Sequence, residues 1–161
     1  ITYGGSRKPL WDTETNFLGV GTGGLPNGRI TGATAAAYIT RYYLDNLRLG
    51  VQRGYWYMWT NQYLPFAGIQ TRPRDAATYA LQRYGAWVVG AHFQGCRNQG
   101  PAVLCKFNKA GKVFWLAWSE TGTTVIDLGP RLRAVTPVFN GRASGGRGAY
   151  RLTALPVRIE S

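Results

Sequence analysis

Seven carboxylates are available in 161 residues: Asp12, Glu14, Asp45, Asp75, Glu120, Asp127 and Glu160. Two of them sit in the stretch Lys8-Pro9-Leu10-Trp11-Asp12-Thr13-Glu14-Thr15-Asn16, which reads as a short buried strand running into a Gly-rich loop. A carboxylate at the C-terminal end of a strand points to where α/β folds place their chemistry, and such a group serves as a nucleophile or a proton carrier. Glu14 is the candidate. The plainer alternative makes Asp12 and Glu14 solvated charges at a strand end. His92 is the single histidine, so a His-based metal cluster is excluded and a Ser-His-Asp triad would have to rest on this one side chain. Nothing near it suggests a nucleophile elbow, and His92 reads as structural. Gly19, Gly21 and Gly24 satisfy the dinucleotide-binding spacing, but Leu25-Pro26-Asn27-Gly28 intervenes before any helical pattern, whereas the pyrophosphate needs the helix to open on those glycines. No cofactor and no metal are expected.

Glu14 must be positioned by the elements around it. Thr31 to Leu49 is helical in pattern, with Ala36, Ile39, Tyr43 and Leu47 on one face and Gly50 suited to the end. Gly54 to Thr60 is an uncharged aromatic run, expected to be a strand covered on both faces as in a parallel sheet. A second helix is expected from about Arg72 to Val89, capped by Thr71, with Pro73 in its first turn and Ala77, Leu81, Tyr84 and Val88 on its face. Residues 1–91 therefore read as two successive βα units. From residue 92 the pattern changes to short strands at 102–107, 112–118, 123–128, 134–139 and 150–159. Asn108 to Gly111 and Ser119 to Gly122 supply hairpin turns, and Arg142 to Gly148 reads as a flexible loop. Residues 92–161 should form a small antiparallel sheet or sandwich.

Composition bounds the function. Lys and Arg number 19 against 7 acidic residues, a net charge of +12 that favours acidic polysaccharides, phosphates or anionic surfaces. The basic residues are scattered without a run of five or six, which argues against a nucleic-acid arm. Cys96 and Cys105 flank a Gly-Pro turn, well placed for a local disulfide and hence an oxidising compartment; two reduced core thiols are the alternative. No apolar run is long enough to span a membrane, and no signal peptide is visible, so a secreted protein would be present here in processed or excised form.

The order of Pro9 to Thr15, a helix, Tyr55-Trp56-Tyr57-Met58-Trp59, a helix, and a β domain ending in Leu155-Pro156-Val157-Arg158-Ile159 resembles the C-terminal part of retaining glycoside hydrolases with a (β/α)8 barrel. The resemblance implies the last two βα units of a TIM-type barrel followed by a small β domain. It also implies that Glu14 is the nucleophile at the end of the seventh strand and that Trp59 floors a sugar subsite at the end of the eighth. A barrel of this kind needs eight βα units where this chain supplies two, so the general acid of the fourth strand is absent. Retaining hydrolysis requires two carboxylates about 5–5.5 Å apart. Asp12, with the parity of Glu14 but about 6.6 Å below it along the strand, suits a structural role better than proton donation. The chain alone should be catalytically incomplete, completed by a missing N-terminal segment or by a partner chain that also covers an otherwise exposed two-stranded sheet.

The substrate implied is a polysaccharide or other glycan, acidic glycans included, in a secreted or cell-envelope setting. Trp59 and Tyr63 lie at or past a strand end and are candidates for stacking a sugar, whereas Trp56, Trp87 and Trp115 read as core. Asn16, Asn61 and Gln62 occupy loops at the same end and are candidates for binding hydroxyls. A non-catalytic carbohydrate-binding remnant and a basic polyanion-binding module are the competing functions, nucleic acid being the less expected ligand.

Overall fold

The computed structural model describes residues 8–17, 30–59, 68–130 and 133–160. Asn61, Gln62 and Tyr63 lie outside these residues, as do the three glycines of the dinucleotide-like spacing. Strand β1 (Trp11–Thr15) is followed by helix α1 (Gly32–Arg48), strand β2 (Arg53–Trp56) and helix α2 (Ala76–Val88). β1 and β2 pair in parallel across α1, so the expected βαβ unit is present. Ala35, Ala36, Ala37, Ile39 and Leu44 of α1 are buried, and the run of small side chains near its start both favours helix and permits close packing. The chain leaves α1 through Gly50 at φ 74°, a left-handed conformation that costs glycine nothing.

α2 begins four residues later than its sequence pattern suggests, because Arg72 to Asp75 makes a turn of its own. The Asp75 N–H donates to the Arg72 carbonyl at 3.0 Å, and the Asp75 carboxylate accepts the Arg72 N–H at 3.1 Å. Asp75 is therefore the residue that precedes the helix. Thr71, expected as the cap, is instead buried with its hydroxyl donated to the carbonyl of Trp59.

The remaining chain forms β3 (His92–Gln99), β4 (Ala102–Lys109), β5 (Lys112–Ser119), β6 (Thr124–Asp127), β7 (Arg133–Pro137), β8 (Ser144–Gly146), β9 (Ala149–Leu152) and β10 (Val157–Glu160). Six of them make one sheet in the order β3-β4-β5-β10-β7-β8, and β6 and β9 pair separately. Two of these strands escape the sequence pattern. β3 is an edge strand whose mostly polar, exposed residues carry no apolar run, and β8 lies inside Arg142–Gly148, paired with β7. The Asn108 to Gly111 turn forms as its residues dictate, with Ala110 and Gly111 both at positive φ and Asn108 Oδ1 accepting the Gly111 N–H at 3.0 Å.

Both faces of the larger sheet are covered. Val103, Cys105, Phe107, Phe114, Leu116 and Trp118 share one core with the helices, while Leu104, Ala117, Val157 and Ile159 share a second with Ile126 and Leu152 of the small sheet and with Leu128 just past β6. The β1–β2 sheet is different. Its strand β2 ends at Trp56, and the described residues cover only the face toward α1, contrary to the two covered faces expected from its aromatic run.

Candidate functional site

An irregularity in β1 sets the site. Asp12 is opposite Gly54 and Thr15 opposite Trp56, so Thr13 and Glu14 together face the single residue Tyr55. Such a bulge bends the strand and re-aims the side chains beyond it. Without it, Asp12 and Thr15 would lie on opposite faces; with it, the Thr15 hydroxyl donates to Asp12 Oδ2 at 2.6 Å. Both residues adjoin the Tyr42 phenol of α1, which is pushed up from its ordinary pKa, chiefly by burial. Gly54 completes this arrangement, since a Cβ there would meet Asn46 Nδ2 and lie 2.8 Å from Tyr42 Oη. Asp12 thus faces the helix. The parity it shares with Glu14 in the sequence is broken by the bulge, and by alternation from Thr15 the Glu14 side chain falls on the uncovered side.

That side is aromatic. Trp11 and Tyr55 there are nearly half exposed, and Trp59, past the end of the strand, is 54% exposed. The Arg53 guanidinium lies 4.5 Å from the centre of the Trp11 ring, its direct neighbour across the sheet. Trp59 lies three residues beyond β2 rather than at its end, and its backbone is fixed by Thr71, whose N–H and hydroxyl both donate to its carbonyl. The indole is therefore held out from an anchored main chain.

Asn16 has a different task from the sugar contact expected of it. Its amide donates to the Ile69 carbonyl at 2.9 Å and accepts the Ile69 N–H at 3.2 Å, tying the exit of β1 to the segment that leads into α2. It positions the main chain on either side of the site.

The other acids are engaged. Asp12 holds Thr15; Asp75 holds the turn before α2; Asp127 accepts the Gly129 N–H at 2.7 Å. Asp45 and Glu120 both pair with Arg48, at 3.1 and 2.7 Å, and Glu160 pairs with Arg158 at 3.2 Å. Burial raises the Asp45 pKa against the opposing pull of Arg48 and Arg41. Among the described residues, Glu14 alone of the seven has no side-chain hydrogen bond or ion pair. It is exposed near the end of β1. No described group of three His, Cys, Asp or Glu side chains could hold a metal ion. His92 opens β3 and is exposed.

Cys96 and Cys105 are bonded to each other and stand directly opposite on β3 and β4. No described helix is long and apolar enough to cross a membrane. Trp87 is buried in the helix-facing core, and Trp56 and Trp115 are half-buried at the margins of the two cores.

Neither a protein-family model nor a curated sequence matches the chain. Its fold does match solved structures. A family 39 glycoside hydrolase from Bacteroides cellulosilyticus WH2 superposes with a TM-score of 0.65 at 17% identity, over 94% of this chain and 33% of its own. A family 30 subfamily 8 xylanase from Clostridium acetobutylicum gives 0.59 at 11% identity, over 96% of this chain and 43% of its own. A conserved exported protein from Bacteroides fragilis gives 0.59 at 12% identity, over 96% and 39%. This chain therefore spans about a third to two fifths of the length of these structures, and it has the fold of that part of them.

Proposed function

We propose that this chain carries the nucleophile-bearing part of a retaining glycoside hydrolase that acts on an extracellular or cell-envelope glycan. Residues 1–91 are its last two barrel units and residues 92–161 its β domain. The observation that carries the proposal is Glu14, the one acid without a structural partner among the described residues, exposed at the end of β1 beside exposed rings. The likeness of fold to parts of glycoside hydrolases supports it. The disulfide and the likeness to an exported protein support the compartment.

In this reading the Glu14 carboxylate attacks the anomeric carbon as the bond to the leaving oxygen breaks, and the leaving oxygen takes a proton from a second carboxyl group. The resulting sugar ester is then cleaved by water, whose proton goes to that second group. Asp12 cannot be the second group, because the bulge turns it to α1. The acid comes from an N-terminal segment or a partner chain, seated on the uncovered face of β1 and β2. Trp59 is the sugar platform, with Asn61, Gln62 and Tyr63, which follow it in sequence, as further contacts.

The test is labelling of the complete assembly with mechanism-based fluorosugars, followed by peptide mapping. The ester is expected on Glu14, and Glu14→Gln should keep glycan binding while losing nearly all turnover. Unchanged turnover in that variant would overturn the assignment and leave a carbohydrate-binding role.

A further inference from the structure

A groove of about 560 Å3 lies between α2 and the turn after β7, lined by Arg74, Tyr79, Arg83, Phe139, Asn140 and Arg142. Positive charge collects there without compensation. The ion pairs among the described residues engage Arg48 and Arg158, and none involves Arg74, Arg83 or Arg142.

The cations are fixed in place to different degrees. Arg83 Nη1 donates to the Pro137 carbonyl at 2.9 Å and to the Gly141 carbonyl at 2.8 Å. These bonds orient the guanidinium but leave its charge whole, since carbonyls are dipoles. Gly141 is required for this approach, as a Cβ there would collide with the Pro137 ring. Arg74 stands at φ 74° inside the turn that Asp75 closes, so its backbone is pinned at the entrance of α2. Tyr79, one turn into the helix, is half exposed, and Phe139 is half-buried opposite.

Planar guanidinium groups bind carboxylates in a bidentate fork, and aromatic faces take the apolar face of a sugar ring. Arginines and rings together in one groove therefore match a sugar that bears a carboxylate. Arg74, at one end of the groove, follows by three residues the Thr71 that holds the carbonyl of Trp59. We infer that the groove binds a uronate-bearing glycan, held between Arg74 and Arg142. That the occupant is a glycan rests on the function proposed above; the binding itself does not involve Glu14. A nucleic acid would call for a longer cationic track along its phosphates than this short cluster supplies.

Titration calorimetry of the purified protein with oligogalacturonate, glucuronate-bearing oligosaccharides, neutral cello-oligosaccharides and duplex DNA tests the inference. An Arg74→Ala, Arg142→Ala double variant should bind the acidic oligosaccharides about tenfold or more weakly, the loss expected on removing charge-assisted hydrogen bonds. Its melting temperature and its neutral-sugar binding should be unchanged, and an Arg97→Ala control on the far sheet face should bind like the parent. Equal affinity in parent and double variant, or absence of uronate binding by the parent, would overturn it. So would DNA binding that exceeds uronate binding and is lost in the same variant. Glu14→Gln should keep the uronate binding in full, so a failed Glu14 label and a failed groove are separate results.

Discussion

Two sheets in this molecule begin from similar sequence and end in different surroundings. β5 and the stretch from Gly54 to Trp59 are both rich in aromatic and apolar residues, the composition of strands with two covered faces. β5 has both: Phe114, Leu116 and Trp118 face the helices, and Trp115 and Ala117 face the small sheet. Around β2, Trp56 packs toward α1 while Tyr55 and Trp59 meet solvent. Aromatic content alone does not separate a core from a surface awaiting a ligand or a further layer. The distinction lies in whether another element of the described chain covers each face, and the uncovered face is the one that carries Glu14.

The contrast is sharpest in stability. Phe107 is buried and stacked on Phe114, their ring centres 5.3 Å apart, and Phe107→Ala should cost about 3–5 kcal/mol through lost transfer energy and the cavity left behind. Tyr55→Ala, on the uncovered face, should stay within about 0.5 kcal/mol. Denaturant melts of the two variants give the comparison directly. A large cost at Tyr55 would show that its face is covered in solution.

The next effect down belongs to the covered sheet's edge. The disulfide joins β3 to β4 across a separation of nine residues. Closing a loop of this size restricts the unfolded chain by about 2–3 kcal/mol, the amount by which Cys96→Ser with Cys105→Ser should lower stability. Free thiols in unreduced protein would rule the bond out. Because β3 is otherwise a polar edge strand, amide exchange in the double variant should rise in β3 before it rises in β5.

Features legible in the sequence are those that a local pattern encodes. Helical periodicity and turn residues announce the two helices and the βαβ unit, turn chemistry announces the hairpin at Ala110 and Gly111, and spacing announces the paired cysteines. Features that are not legible depend on partners distant in sequence or on competing local turns. Nothing local in Trp11 to Thr15 announces a bulge, so simple alternation puts Asp12 and Glu14 on one face where the structure separates them. Asn16 reads as a loop residue free to meet a sugar, yet Ile69, 53 positions away, takes up its amide. Thr71 and Pro73 fit a helix start, and the competing turn closed by Asp75 leaves no trace in the helical pattern. β8, three residues of Ser and Gly, has no pattern to read.

A smaller effect separates the helical layer from the uncovered face by pH. Burial raises the Tyr84 and Tyr43 phenols above their ordinary value of 10.0, and the two rings stack 6.1 Å apart. A phenol with a folded-state pKa above its unfolded one keeps more protons in the folded state. Stability is thus whole below about pH 10 and falls as pH rises beyond it, by at most about 1.4 kcal/mol per pH unit for each group. Tyr84→Phe should flatten the alkaline fall of the melting temperature. An alkaline fall that is unchanged in this variant would remove burial of Tyr84 as the cause.

The smallest structural effect carries the most weight for the proposed function. Trp59 is exposed, lies outside β2 and is held by its backbone carbonyl, which a substitution of the side chain leaves in place. Trp59→Ala should therefore change stability by less than about 0.5 kcal/mol. Trp115 is the control: half-buried, with Arg97 at 5.2 Å and Lys106 at 5.8 Å from its ring centre and the second core beneath it, it should cost clearly more stability when truncated. In the proposed sugar binding the order should reverse. Loss of a flat platform beneath a ring should weaken glycan affinity of the complete assembly about tenfold for Trp59→Ala, against little change for Trp115→Ala. Binding isotherms and melts on the same two variants decide the matter. Equal losses of affinity would make the rings around β2 plain packing surface for a further layer, with no sugar resting on Trp59.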